Sequence, residues 1–210
     1  MSANDDWFRR PCLSDEDRQE FERRLQRARS SRPEYMRIQA GALYATGAYD
    51  LSLKMIDRTI ADYPAHLPAW LLEQKADCLR SLGEIDPALD TYASSLDRVR
   101  VDPGLRGNAH FSFAELVWCR RMLSRYEDAL TGLADFWDCN PIFPMNEFKQ
   151  FGLNALLLEG LGSKDEAMPS ARRALAAAAK TRSQATKHHS LGLVLDSNAE
   201  IRRALENLVN

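Results

Sequence analysis

MRIQAGALYATGAYDLSLKMIDRTIADYP, residues 36–64, is the stretch whose reading decides the fold. Met36, Ala40 and Leu43 recur at the spacing that lines one face of an α-helix. Gly47 then breaks the pattern, because glycine is the residue best able to leave a helix through a left-handed turn. Beyond it, Ser52 and Ile56 lie one helical turn apart, and Pro64 closes the segment. The stretch therefore reads as two helices joined by a short turn. A small side chain at Ser52 would let the two backbones approach closely.

Working outward, three more windows carry the same grammar. Their turn residues are read as Gly83, Ser124 and Gly162, so that successive turns lie 36, 41 and 38 residues apart. A small residue follows each turn by five places, giving Ser52, Ala88, Ala129 and Ala167. Tyr49, Ile85 and Tyr126 share one offset, with Lys164 in the fourth window, and Ile56, Tyr92, Leu133 and Ala171 share another. A fixed period of this length marks a helical-hairpin array. No window shows sustained two-residue alternation between hairpin turns, so an all-α chain is expected.

These residues resemble the tetratricopeptide repeat family, over residues 33 to about 180. The first unit runs Met36, Ala40, Leu43, Gly47, Tyr49, Ser52, Ile56, Pro64, and the third runs Phe113, Leu116, Val117, Tyr126, Ala129, Leu133, Phe136, Pro141. The eighth place, often Gly in the family, reads Ala40, Ala76, Val117 and Ala155, and the fourth unit lacks the closing Pro. The resemblance implies a right-handed superhelical solenoid of about four antiparallel hairpins. It implies a concave groove, lined by the first helix of each hairpin, that holds a protein or peptide partner. Carried over place by place, the groove gathers Glu34, Arg37, Gly41 and Tyr44, then Trp70, Glu73, Asp77 and Arg80. The third unit adds Phe111, Ala114, Trp118 and Arg121, and the fourth Lys149, Gly152, Leu156 and Glu159. Aromatic and guanidinium side chains are the anchors that dominate protein interfaces. The alternative is that the chain's own ends cover Trp70 and Trp118. One subtype of the family grips a C-terminal carboxylate with Lys and Asn. Arg37 and Gly41 stand at those places here, so that clamp is not expected.

Stacked hairpins need covers at both ends. Ser14 followed by three acids opens a first helix with an apolar stripe of Phe21, Leu25 and Ala28. Ile201, Leu205 and Leu208 give a closing helix its stripe. The expected organisation is an arm and capping helix over 1–32, repeats over 33–180, and an irregular segment with a capping helix over 181–210, with Gly192 and its apolar neighbours extended against the last hairpin.

The 210 residues are 45% hydrophobic and 28% charged, with a net charge of -2. Four Trp, eight Phe and six Tyr argue against disorder, ten Gly and nine Pro exclude collagen-like sequence, and the balanced charge argues against a dedicated nucleic-acid binder. The richest apolar run, residues 153–161, is interrupted by Asn154, Glu159 and Gly160, too short for a membrane span. The acidic, polar start lacks the form of an export signal, and a cytoplasmic protein is expected. Charge is uneven: +1 over residues 1–32, -6 over 33–163 and +3 over 164–210. Arg172, Arg173, Lys180, Arg182 and Lys187, with the pair His188 and His189, form an acid-poor stretch. It reads either as a phosphate-touching surface or, preferentially, as the cationic end of a helix.

No metal, cofactor or catalytic signature emerges. His66, His110, His188 and His189 lack ligand spacing, as do Cys12, Cys78, Cys119 and Cys139. Cys78 and Cys119, at matching places of two units, are expected in the core as small hydrophobes, while Cys12 and Cys139 could face solvent. No G-x-S-x-G, phosphate-binding loop or dinucleotide fingerprint occurs. The expectation is a non-catalytic binding scaffold without cofactor. The alternatives are a nucleic-acid-associated regulator or a self-associating subunit.

Overall fold

A computed structural model describes residues 6–64, 68–102, 107–138, 141–185 and 188–210. His66, Cys139 and Lys187 lie outside them. Among the described residues there are ten α-helices and no strand. They divide into two compact units, Met1–Ala109 and His110–Asn210.

In the first unit, α1 (Asp15–Arg27) starts at a capping box. The Ser14 hydroxyl accepts the Asp17 N–H at 3.1 Å, and the Ser14 N–H donates to the Asp17 carboxylate at 3.2 Å. The Ser14 hydroxyl also donates to the Asp17 carboxylate at 2.6 Å, and this bond first, with the Ser14 N–H second, holds the Asp17 carboxyl below its ordinary pKa. Two hairpins follow: α2 (Arg32–Ala45) with α3 (Tyr49–Asp62), and α4 (Ala69–Ser81) with α5 (Ile85–Val101). The arm before α1 makes a short 3-10 turn at Trp7–Arg9. Its Trp7 and Phe8 rings lie 5.3 and 4.7 Å from Tyr35, over a core of Cys12, Phe21, Leu25 and Met36. Cys12 is thus buried, not solvent-facing. Burial, its first cause, pushes its thiol up to about 11.

The second unit continues with α6 (Ala109–Cys119, its first residue lying in the first unit) and α7 (Tyr126–Asp135), then α8 (Pro144–Gly160) and α9 (Lys164–Ala178). Helix α10 (Ala199–Val209) buries Ile201, Leu205 and Leu208, as its stripe predicts, and packs on α8 and α9. Between α9 and α10 the described residues are not helical, apart from a 3-10 turn at Asp196–Asn198. Gly192 in that segment has φ +72° and accepts the Met145 N–H at 2.7 Å. A Cβ there would stand 2.5 Å from the Phe143 ring, so the close approach itself requires glycine.

The hairpin small residues Ser52, Ala88, Ala129 and Ala167 are fully buried. Ser52 spends its hydroxyl on the Ala40 carbonyl at 2.8 Å, which satisfies the only polar group among the four. The turns repeat one hydrogen-bond pattern. The N–H of Ala48, Glu84, Met122 and Ser163 each returns to a carbonyl five residues back, at Leu43, Leu79, Val117 and Leu158. The left-handed residue before each is Gly47, Gly83, Arg121 and Gly162.

That pattern corrects the third window. Arg121, at φ +53°, is the turn residue in place of Ser124, and a 3-10 turn at Leu123–Arg125 is inserted before α7. Counted from Arg121, the eighth place is Ala114, not Val117. Ala40, Ala76, Ala114 and Ala155 are then four alanines at one place, all at 0% exposure.

Candidate functional site

In the first unit, α2 and α4 lie side by side, and their first-helix residues meet in a row. The Arg37 guanidinium sits 4.7 Å from the centre of the Trp70 ring. Next along, Gly41 approaches Gln74: a Cβ on Gly41 would be 3.5 Å from the Gln74 amide nitrogen. The Tyr44 hydroxyl then lies 3.3 Å from the Ser81 hydroxyl. Trp70 and Tyr44 also pack against the core of Ala40, Ile56, Leu71 and Cys78, so each ring is half-buried with part of its surface exposed. Arg37 and Trp70 hold different places of their repeats, the places of Glu73 and Glu34, so the contact runs diagonally between the two helices.

Charges on this face are answered locally. Arg37 forks onto Glu34 one turn back, with Nε 2.8 Å from the carboxylate. The pairing lowers the Glu34 pKa and raises that of Arg37. Arg80 lies 3.7 Å from Asp77, which also accepts the Tyr92 hydroxyl at 2.5 Å. Glu73 turns toward the end of the unit, where both its oxygens accept the Asn108 N–H at 3.0 Å. Burial outweighs that bond, and with the nearby Asp77 it pushes the Glu73 carboxyl up to about 7.

The second unit treats its predicted residues differently. Phe111 is 5% exposed and stacks beside His110 with ring centres 4.0 Å apart, so it is a core residue and not an anchor for a partner. Arg121 sits in the turn, off the helix face, for the reason given by its left-handed backbone. Trp118 is half-buried. Lys149 is held by Glu115 at 2.9 Å. Gly152 is covered by the end of the chain: a Cβ there would meet Leu205 at 3.1 Å and Ile201 at 3.5 Å. Leu156 is buried. Glu115 was not among the predicted residues, because the third unit was read three residues too late; the Arg121 turn restores it to the place of Gly41 and Asp77.

The acid-poor stretch is partly spent on the fold. Arg173 and Lys180 both bind the Glu147 carboxylate, at 3.0 and 2.6 Å. Arg173 also lies 3.9 Å over the Phe151 ring, itself edge-on to Trp137. These cations keep the Glu147 carboxyl below its ordinary pKa although burial acts the other way and is the largest single influence. Arg172 and Arg182 are exposed. Cys78 is buried, with its thiol 3.2 Å from the Ser52 hydroxyl. Cys119, at the last position of α6, is exposed, contrary to its expected place in the core; the same three-residue register shift explains the difference. Among the described residues, no three His, Cys, Asp or Glu side chains gather as a metal site would require, and no helix is long and apolar enough to cross a membrane.

No family model and no curated protein matches the sequence. Solved structures do match. One is the C-terminal part of a TPR repeat-containing protein from Cytophaga hutchinsonii, at 15% identity and a TM-score of 0.56. The match covers 77% of this chain and 58% of that one, so the chain spans little more than half of that structure's length. Another is a thermophilic TPR protein from Thermus thermophilus, at 23% identity and a TM-score of 0.52, covering 84% of this chain and 80% of that one. The fold is therefore tetratricopeptide-like, an array of helical hairpins.

Proposed function

We propose that the chain is a non-catalytic protein- or peptide-binding scaffold whose working surface is the first-helix face of its hairpins. The observation that carries this reading is the α2/α4 row, where Trp70 and Tyr44 pack on the core yet stay only half-buried. Rigid aromatics of this kind contribute most of the binding energy at protein interfaces. A nucleic-acid role through the acid-poor stretch is less well supported, since Glu147 already claims Arg173 and Lys180.

The test is to capture partners from a native extract on the immobilised full chain, identify one, and measure its affinity for variants confirmed to be folded. Trp70→Ala should cost about 2 kcal/mol, roughly thirtyfold in affinity. Arg172→Glu, on the exposed basic surface, should change little. The reverse result, with a steep loss of binding in salt, would transfer the function to the basic stretch.

A further inference from the structure

Resting on the reading above that the first-helix face binds a partner, we infer that the α2/α4 face of the first unit takes a short extended segment that is uncharged and carries aromatic or branched aliphatic side chains. The argument is one of charge already spent. Both guanidiniums on the face are matched by acids of the same helix, Arg37 by Glu34 and Arg80 by Asp77. An acidic partner would have to displace these pairs, exchanging one carboxylate for another in a half-exposed setting where ion pairing yields little. A basic partner would face the same obstacle from the acids' side. The same neutralisation recurs in the second unit, where Glu115 holds Lys149.

What remains on offer is neutral. Tyr44 and the part of Trp70 not covered by the Arg37 guanidinium supply apolar surface, while the Gln74 amide and the Tyr44 and Ser81 hydroxyls can donate to and accept from peptide backbone groups. From Trp70 to Ser81 the row runs along α4 for about 16 Å at the helical rise. That length matches about five residues of extended chain. The occupant is therefore a linear segment read by side-chain shape and backbone amides, and its binding is insensitive to salt.

The experiment uses the full chain against an array of synthetic hexapeptides ranging from strongly acidic to strongly basic, at about 0.05 and about 0.5 M NaCl, a range that collapses the screening length several-fold. The bound set should centre on zero net charge and carry aromatic or branched aliphatic residues, with affinities changing less than about twofold between the two salt concentrations. Tyr44→Ala and Trp70→Ala should each weaken binding by about tenfold or more. Glu34→Gln should uncover Arg37 and move the bound set toward acidic, salt-sensitive peptides. Glu34→Gln alters a surface side chain and keeps the test decisive if Trp70→Ala or Tyr44→Ala fails to fold.

Selection of acidic peptides by the unaltered chain, lost in salt but still dependent on Trp70 and Tyr44, overturns the inferred partner class and leaves the binding face standing. Hexapeptide binding indifferent to Trp70, Tyr44 and Glu34 overturns the face itself. An array that binds nothing overturns the short-segment inference, and the scaffold reading is then judged on the captured partner alone.

Discussion

Replacing Glu73 by Gln should remove a pH dependence from the stability of the first unit. The carboxyl rises from 4.5 to about 7 in the folded chain, chiefly through burial, with the Asp77 charge adding to it and the Asn108 and Ala109 N–H groups opposing it. A raised carboxyl pKa means that the folded state holds this proton more tightly than the unfolded state. Its stabilising contribution is complete below about pH 4.5 and is lost as pH rises through about 7. The size of the rise corresponds to about 3 kcal/mol. Gln keeps the neutral form at every pH but turns its amide group toward one of the N–H donors, a loss of about 1 kcal/mol. The variant should therefore be about 2 kcal/mol more stable than the parent at pH 8.5 and no more stable than it at pH 4. Urea unfolding of both chains between pH 4 and 8.5 measures the difference, and carboxyl carbon NMR follows the titration of Glu73 itself. Stability curves that stay parallel across the range, or a Glu73 midpoint near 4.5, would refute the claim that burial controls this group.

Ala88→Leu and Ala129→Leu should each cost roughly 1 to 3 kcal/mol by overpacking two closely approached helices, seen as a lower unfolding midpoint; unchanged midpoints in both would contradict the hairpin register. Gly192→Ala meets both a left-handed backbone and the Phe143 ring, and should destabilise the second unit by about 1 to 3 kcal/mol in the same assay, whereas an Ala variant as stable as the parent would show the contact to be loose. Deleting residues 197–210 uncovers the α8 and α9 surface under Ile201 and Leu205, and light scattering should show concentration-dependent association; a truncated chain that stays monomeric and equally stable would make α10 a dispensable tail. A thiol reagent applied to the native chain, with labelled peptides mapped by mass spectrometry, should modify Cys119 well before Cys12 and Cys78, and equal rates at all three would refute the burial assigned to them.

The hairpins were legible because their signals are local: a glycine at each of three turns, a small residue five places on, and apolar stripes at helical spacing. Where the local signal failed, so did the reading. Arg121 adopts the left-handed turn that glycine fills elsewhere, and nothing in its side chain announces it. The local pattern therefore points to Ser124 as the turn, which shifts every repeat place of α6 by three residues and sets Cys119 in the core and Arg121 on the face. Long-range pairings were illegible for a different reason. That Glu73 reaches Asn108, or that Gly152 lies beneath Leu205, depends on how elements dock, and neither residue carries a pattern that reports it. The N-terminal aromatic cluster belongs to the same class, since Trp7 and Phe8 find Tyr35 through packing across some 28 residues of sequence.

The acid-poor stretch shows what composition leaves open about function. Charge counted along the chain leaves residues 172–187 as either a phosphate-touching surface or, preferentially, the cationic end of a helix. In three dimensions the stretch is neutralised in part by Glu147, a carboxylate from the first turn of α8, which is distant in sequence but adjacent to the end of α9. Such a carboxylate is stabilised twice, by the positive end of its own helix and by the two cations it binds. Of those cations Lys180 lies just beyond the negative end of α9, where positive charge is also favoured, while Arg173 lies within the helix before its last turn. The same arrangement thus satisfies both helix ends and fastens the last hairpin. The first-helix rows repeat this economy, with Glu34 on Arg37, Asp77 on Arg80 and Glu115 on Lys149. Glu34 and Asp77 answer a cation of their own helix, whereas Glu115 and Glu147 reach cations of another element, so among these pairs it is the second unit's that tie elements together.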